Sequence, residues 1–325
     1  MLKYSLKRLG QSLISLFIIT TIVFSLLRLM PIEGYFQNFD KLDDVQIEAT
    51  LTTMGLRDPL LVQLKNFYVN LFQGDLGVSN IYRPHVPVLD IIAEKAPLSA
   101  AMGLGSMAIA LALGLPLGIA MAKSKSRLGT GRRFLDKFWD KFGTAFIVFI
   151  TAVPSAVYYL FIQLFFTDPS FLGLPMLFSE SNPASWILPT LSLSLGNIAY
   201  YAMWLRRYMV DELNKDYIQL ARAKGLPAKS IMRRHVFRNA FVPLIQYLPS
   251  SLLYTVAGSI YIESLYSVPG MGGLLVNVIQ RQDNTMVQAL VLIYSAIGIV
   301  GLLLGDLLMC AVDPRITFTK KGGAR

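Results

Sequence analysis

Six apolar runs, at residues 9–30, 97–122, 138–166, 186–205, 240–262 and 287–312, limit what this chain can fold into. A helix rises about 1.5 Å per residue, so roughly 20 apolar residues cross the ~30 Å hydrocarbon core of a bilayer, and each run is that long. Lipid offers no partner to an exposed backbone N–H or C=O, so helices are the expected form. With 54% hydrophobic and 15% charged residues, the fold class expected is an all-α polytopic membrane protein with six transmembrane helices. The first run follows Lys3, Lys7 and Arg8 like the start of a signal peptide. It is too long for one and ends in Leu-Arg-Leu-Met-Pro with no small-residue cleavage site, so it reads as an uncleaved crossing. Pro116, Pro154, Pro189 and Pro249 lie within or near the crossings and are expected to kink or unwind them.

Six crossings put both termini on one side, and the basic residues say which. Of the 30 Lys and Arg residues, 23 fall in the N-terminal tail, residues 123–141, residues 206–238 and the tail from Arg315, which makes those segments cytoplasmic. A net charge of +10 raises nucleic acid as a partner, but the charge lies in short loops between apolar runs and not on one soluble face. Nucleic acid is therefore excluded, and the lipid bilayer is the expected surrounding. The single cysteine, Cys310, rules out a disulfide framework, and His85 and His235 are too far apart in sequence and too different in setting to start a metal site. Neither forms a catalytic dyad in the bilayer, so no catalytic and no metal residues are assigned.

The longest outer segment, 31–96, carries more Asp and Glu than Lys and Arg. Apolar residues at near-helical spacing, broken at Gly55 and Pro59, predict two helices between Asp43 and Phe72. A tight turn at Gly74-Asp75-Leu76-Gly77-Val78-Ser79 follows, then a short amphipathic piece that leads to Pro97 at the start of the second crossing. The resulting division is 1–30 as N-terminus and first crossing, 31–96 as a small helical extracytoplasmic segment, 97–312 as a five-helix core, and 313–325 as a cytoplasmic tail.

Within the crossings, Gly114 with Gly118 and Gly301 with Gly305 have the GxxxG spacing that lets helix backbones approach, and are read as packing. Asp306 is the clearest intramembrane charge; without a second acid at its depth it is expected to face other helices near the cytoplasmic end and not to relay protons. Glu263 is followed by Ser267-Val268-Pro269-Gly270-Met271-Gly272-Gly273, read as a turn and re-entry on the outer side and not as a phosphate loop.

Residues 216–243 interrupt the apolar pattern with six basic residues and one acid up to Arg238. They read as two short helices and a turn: Asp216 and Gln219 have capping-box spacing, Gly225 suits a left-handed C-terminal cap, and Pro227 bars continuation until a second helix near Ala228.

The ordered set of motifs resembles the integral membrane permease of binding-protein-dependent ABC importers, specifically the first permease of the oligopeptide/dipeptide pair. The residues that carry it are Leu26-Leu27-Arg28-Leu29-Met30-Pro31, Gly55-Leu56-Arg57-Asp58-Pro59-Leu60, the Gly74 to Ser79 turn, and Ile187-Leu188-Pro189-Thr190-Leu191. Ala221-Arg222-Ala223-Lys224-Gly225-Leu226, Arg238-Asn239-Ala240, Glu263, Pro269-Gly270-Met271-Gly272 and Asp313-Pro314-Arg315 complete it. The resemblance implies the type I importer permease fold, pairing with a second, similar permease, two cytoplasmic ATPase subunits and an external substrate-binding protein. Cofactors of this chain would be none, with ATP and Mg on the ATPases; the sequence has no GxxxxGK[ST] loop of its own.

The resemblance also makes 206–239 the ATPase-coupling loop, with Asp216, Tyr217, Gln219, Leu220, Ala221, Arg222, Ala223, Lys224, Gly225, Arg238 and Asn239 as its contact residues. Gln219 stands where the broad family has Glu, so hydrogen bonding is expected there in place of an ion pair. Tyr158, Tyr159, Tyr200, Tyr201 and Trp204 are candidates for the translocation path or for interface anchors. The implied cargo is di- or oligopeptides, with nickel chelates, glutathione or oligosaccharides as alternatives on the same architecture. An ion-coupled secondary transporter is the runner-up class and a membrane-embedded enzyme the third.

Overall fold

The computed structural model describes residues 2–29, 31–36, 39–124 and 133–312, and the elements there are helices. The first crossing is α1 (Leu2–Leu27). Residues 31–96 supply α2 (Asp44–Thr53) and α3 (Leu60–Phe72), as the punctuation predicts. A reciprocal capping box starts α2, where the Asp43 carboxylate accepts from Gln46 N and the Gln46 side chain accepts from Asp43 N.

The second crossing, α4 (Val88–Lys123), begins nine residues before the Pro97 that sequence pattern takes for its start. The short amphipathic piece and the crossing are one helix with Pro97 and Pro116 inside it. A proline removes one ladder hydrogen bond, which a helix held by neighbours can absorb.

The third expected crossing, 138–166, is not a single helix. α5 (Arg133–Ala152) and α6 (Ser155–Thr167) meet at a bend of 112° with Pro154 as the N-cap of the second. Hydropathy reports how apolar a segment is and not which way it runs, so a broken span and a straight one read alike. α7 (Ile187–Leu213) runs two turns past its expected end and is followed by α8 (Asp216–Ala223).

From Ala228 the chain follows one helical path: α9 (Ala228–Ser230), a π-helical stretch Ile231–Phe237, and α10 (Arg238–Val256). The second helix of the basic stretch does not stop at Pro243; that proline lies inside α10. After it come α11 (Ile260–Leu265), the expected turn, the short apolar α12 (Met271–Gln280) and α13 (Asn284–Val312) as the last crossing.

By length and apolarity four helical stretches among the described residues can cross a membrane, and five if the bent α5–α6 pair counts as one. The remaining expected crossing is α7, which has the length but falls outside the apolar set. Its Ser192, Ser194 and Tyr201 are buried, and it packs on α4, α5 and α10, so it has little lipid-facing surface to make apolar.

Both GxxxG pairs pack helices, as read from sequence. A Cβ on Gly114 would lie 2.9 Å from Ile198 O and one on Gly118 2.8 Å from Ala202 O, so α4 lies backbone to backbone on α7. A Cβ on Gly301 would meet Ser250 Cα at 2.8 Å, and one on Gly305 would run into Gln246 O, which joins α13 to α10 in the same way. Asp306 does face other helices. Arg8 Nε lies 3.3 Å from its carboxylate and Gln246 Nε2 donates to it at 3.0 Å, so the charge is paired between α1, α10 and α13.

Gly118→Ala is expected to lower stability by about 1–3 kcal/mol, the usual range for overpacking a tight contact. Gly10→Ala, with nothing within 4 Å of the added methyl, should be neutral or slightly stabilising. Thermal unfolding of the two variants in one detergent checks the contrast; equal shifts would contradict the packing account.

Candidate functional site

The basic stretch folds as a small platform. Its α8 starts one residue earlier than the spacing suggests: Lys215 is the N-cap with no side-chain cap bond, so the expected Asp216–Gln219 box does not form. Asp216 is instead the first helical residue, where its charge opposes the positive end of the helix dipole. The C-terminal end forms as expected. Gly225 has φ +72°, its N–H donates to Arg222 O at 2.9 Å, and Leu226 N–H donates to Ala221 O at 3.2 Å. These two bonds are the Schellman pair, and they turn the chain sharply into Pro227, the N-cap of α9.

Burial divides the residues expected to dock. Ile218 and Ala221 point inward and join Met209, Leu213, Ile231 and Val236 in one buried cluster, so Ala221 anchors the helix from beneath. Arg222 is half-buried with its Nε unpartnered among the described residues. Asp216, Tyr217, Gln219, Leu220, Ala223, Lys224, Gly225, Arg238 and Asn239 are all exposed. Leu220 is 57% exposed and Leu226, which sequence reasoning passed over, 39%. Two apolar side chains are thus held out beside a basic surface that includes Lys229, Arg233 and Arg234.

Tyr217 ties the platform together. Its hydroxyl donates to the Glu212 carboxylate at the end of α7 and accepts from Asn239 Nδ2 at 2.8 Å at the start of α10. Partial burial, followed by the neighbouring Glu212 carboxylate, pushes its pKa up to about 12. The expected Tyr217 and Asn239 therefore act through each other, and Glu212 is a member that sequence spacing had no means of showing.

The path candidates separate into two groups. Tyr158 and Tyr159 stack edge to face at 4.6 Å and are buried with Ile147 and Ile150, while Tyr201 is buried against α4. Tyr200 and Trp204 are half-buried and belong to a ladder on one side of α7: Tyr200 stacks on Tyr247 at 4.5 Å, Trp204 on Tyr208 at 5.6 Å, and the Arg207 guanidinium lies 5.1 Å from the Trp204 ring.

At the other end of the helices, two buried carboxylates organise the loops. Asp283 Oδ2 accepts from Ser79 Oγ at 2.6 Å and from the N–H groups of Asn80, Ile81 and Tyr82 at 3.0–3.1 Å. It thereby pins the Gly74 to Ser79 turn to the start of α13. Glu263 accepts from Ser99 Oγ at 2.7 Å and Gly273 N at 2.9 Å, and Ser99 accepts from Met271 N at 2.8 Å, which fastens the re-entry to α4. Asp283 was missed because its donors lie some two hundred positions away in sequence.

Residues 114–318 match the family model described as binding-protein-dependent transport system inner membrane component. The matched span contains the whole platform. The chain belongs to this family. It is 33% identical over 320 residues to the dipeptide transport system permease protein DppB of Lactococcus lactis, covering 97% of this chain and 99% of that one. It is 31% identical to DppB of Bacillus subtilis over 99% of this chain and 100% of the relative. To the oligopeptide transport system permease protein OppB of Haemophilus influenzae the identity is 32%, over 98% and 100% respectively. Family membership makes the chain an all-α, multi-pass membrane permease.

Two measurements test the site. A raised tyrosine pKa means the Tyr217 tie is intact below about pH 10 and is lost as pH rises through its folded value near 12, so the absorbance difference at 295 nm between wild type and Tyr217→Phe should titrate near 12. Asp283→Ala leaves the buried Ser79 hydroxyl and three part-buried N–H groups without their acceptor and should cost about 3 kcal/mol, at ~1–3 kcal/mol for a buried donor and less for the part-buried ones. Limited proteolysis should then cut the 74–82 loop, which wild type protects.

Proposed function

We propose that this chain is the permease subunit of an ATP-driven importer that moves di- and oligopeptides delivered by an external binding protein. In this reading it pairs with a second, similar permease, and two cytoplasmic ATPases bearing ATP and Mg drive alternating access. The observation that carries the reading is the platform: a capped helix anchored from beneath by Ile218 and Ala221 that displays Leu220, Leu226 and a basic rim. Apolar knobs on a rigid, charged mount suit docking into a groove on a protein partner. The peptide cargo is supported by the printed functions of the relatives, which cover nearly the whole chain.

In the mechanism proposed, closure of the ATPase pair moves α8. The Gly225 cap is a short bonded turn, so the displacement passes to α9 and, through Tyr217 and Asn239, to the start of α10. Gln219, exposed on α8, offers hydrogen bonds where an ion pair is absent. The Tyr200–Trp204 ladder, beside α10, is the aromatic surface assigned to the path. The distribution of Lys and Arg supports a cytoplasmic position for both termini and the platform. An ion-coupled mechanism lacks a comparable observation, since Asp306 is already paired with Arg8 and Gln246.

Gly225→Pro tests this, because proline cannot adopt φ +72°. ATP-dependent peptide uptake by reconstituted complexes is expected to fall at least about tenfold, through loss of ATPase binding or of coupling. Gly225→Ala, strained by only ~1–2 kcal/mol, should keep partial uptake. Unchanged uptake with Gly225→Pro would sink the proposal.

A further inference from the structure

A second site lies at the opposite end of the molecule. A cavity of about 300 Å³ opens between the C-terminal end of α1, the side of α3, the Gly74 to Asn80 turn and the start of α13. Its volume is at the lower end of the range for small-molecule sites and equals that of roughly ten waters.

The lining is chemically organised. On α3 the residues facing the cavity are Gln63, Asn66, Phe67 and Asn70, spaced three, four and seven apart along one stripe. The rest of the helix is largely apolar and turns elsewhere: Tyr68 hydrogen-bonds to Phe17 O at 3.0 Å and stacks on Phe17 of α1, while Leu61 and Phe72 face outward. Gln63 Nε2 donates to Leu56 O at 3.0 Å and to Asp58 O at 2.8 Å, so α3 offers the cavity the Gln63 carbonyl oxygen and the side-chain amides of Asn66 and Asn70.

Charges of opposite sign stand in the same wall. Arg28 is held by Nη1 donation to Tyr35 OH at 2.5 Å and by lying 4.6 Å from the Phe24 ring centroid. These contacts fix the guanidinium and leave it without a carboxylate partner among the described residues. Its buried Nε has no hydrogen-bond partner, and neither has the buried Gln63 Oε1. Asp75 spends one carboxylate oxygen on Gly77 N at 2.7 Å and is exposed at the cavity wall. A fixed cation, an anion and side-chain amides lining one cavity are complementary to a zwitterion with amide units along its length.

We infer that this cavity is a subsite for the backbone of a short, unblocked peptide. Its terminal carboxylate lies on Arg28, its terminal ammonium on Asp75, and its peptide groups face the α3 amides. The inference rests on the peptide-import reading and adds a place where this permease itself holds the cargo by its termini, independent of side-chain identity.

The test is equilibrium binding of radiolabelled trialanine to the whole complex in nanodiscs with no binding protein present, beside trialanine amide and N-acetyl-trialanine. Arg28→Gln is expected to weaken trialanine at least about tenfold, the order of one lost charge-assisted hydrogen bond, and to leave the amide unchanged. Asp75→Asn should do the same for trialanine against the N-acetyl form, and Arg28→Lys should recover part of the loss. No binding by wild type, equal weakening of free and blocked peptides, or loss of a co-purifying phospholipid in Arg28→Gln with unchanged peptide binding would each overturn the site. Uptake with the binding protein restored separates the two readings: uptake without direct binding removes only this site, whereas absence of any peptide uptake by wild type removes the transport reading itself.

Discussion

Backbone contact between helices is the constraint on which the rest of this structure depends. Lipid gives little driving force for one apolar helix to leave it for another, so association has to come from close packing and from polar groups satisfied between helices. The α4–α7 and α10–α13 pairs answer that requirement with glycines set four apart, each facing a carbonyl or Cα of the neighbour. Once those pairs are fixed, α7 lies between α4, α5 and α10, and the polar residues it carries need no lipid-compatible face. The platform inherits its stability from the same pairs, since Leu213 of α7 and Ile231 and Val236 ahead of α10 form the floor under α8.

Charge is used differently at the two ends. The platform leaves cations exposed on its surface, available to a partner. Asp283 and Glu263 are buried and saturated with donors, and Asp306 is paired with Arg8 across the bundle. Buried carboxylates with several donors hold loops in a single geometry because each donor left unmatched in a low-dielectric setting is costly. The exposed cations carry no such obligation.

Much of the fold was legible in the amino-acid sequence, for identifiable reasons. Apolar run length marks spans because bilayer thickness is fixed, and Gly225 marks a helix end because few other residues take positive φ. What stayed hidden depends on direction or on distant partners. The 112° fold at Pro154 leaves hydropathy unchanged, and the fusion of residues 88–96 with the second crossing rests on neighbours that tolerate Pro97. The N-cap of α8 fell one residue away from the best-spaced pair, since capping-box spacing only permits the bonds. For the site, exposure at Leu220 and burial at Ala221 could not be separated without the helix rotation. Residues 125–132 and the Asp313-Pro314-Arg315 motif lie outside the described residues.

The π-helical stretch Ile231–Phe237 has a mechanical meaning beyond its place in the platform. With no loop between Ala228 and Val256, the two membrane faces share one rod, about 40 Å long at ~1.5 Å per residue. A wide turn near one end of a rod is a point where a single residue can be taken up or released, which turns the short piece before it by about 100° relative to the rod. Such a joint converts a push into a twist. The surface that the platform presents would then change by rotation, while the glycine contacts of α13 with Gln246 and Ser250 hold the rest of the rod in place.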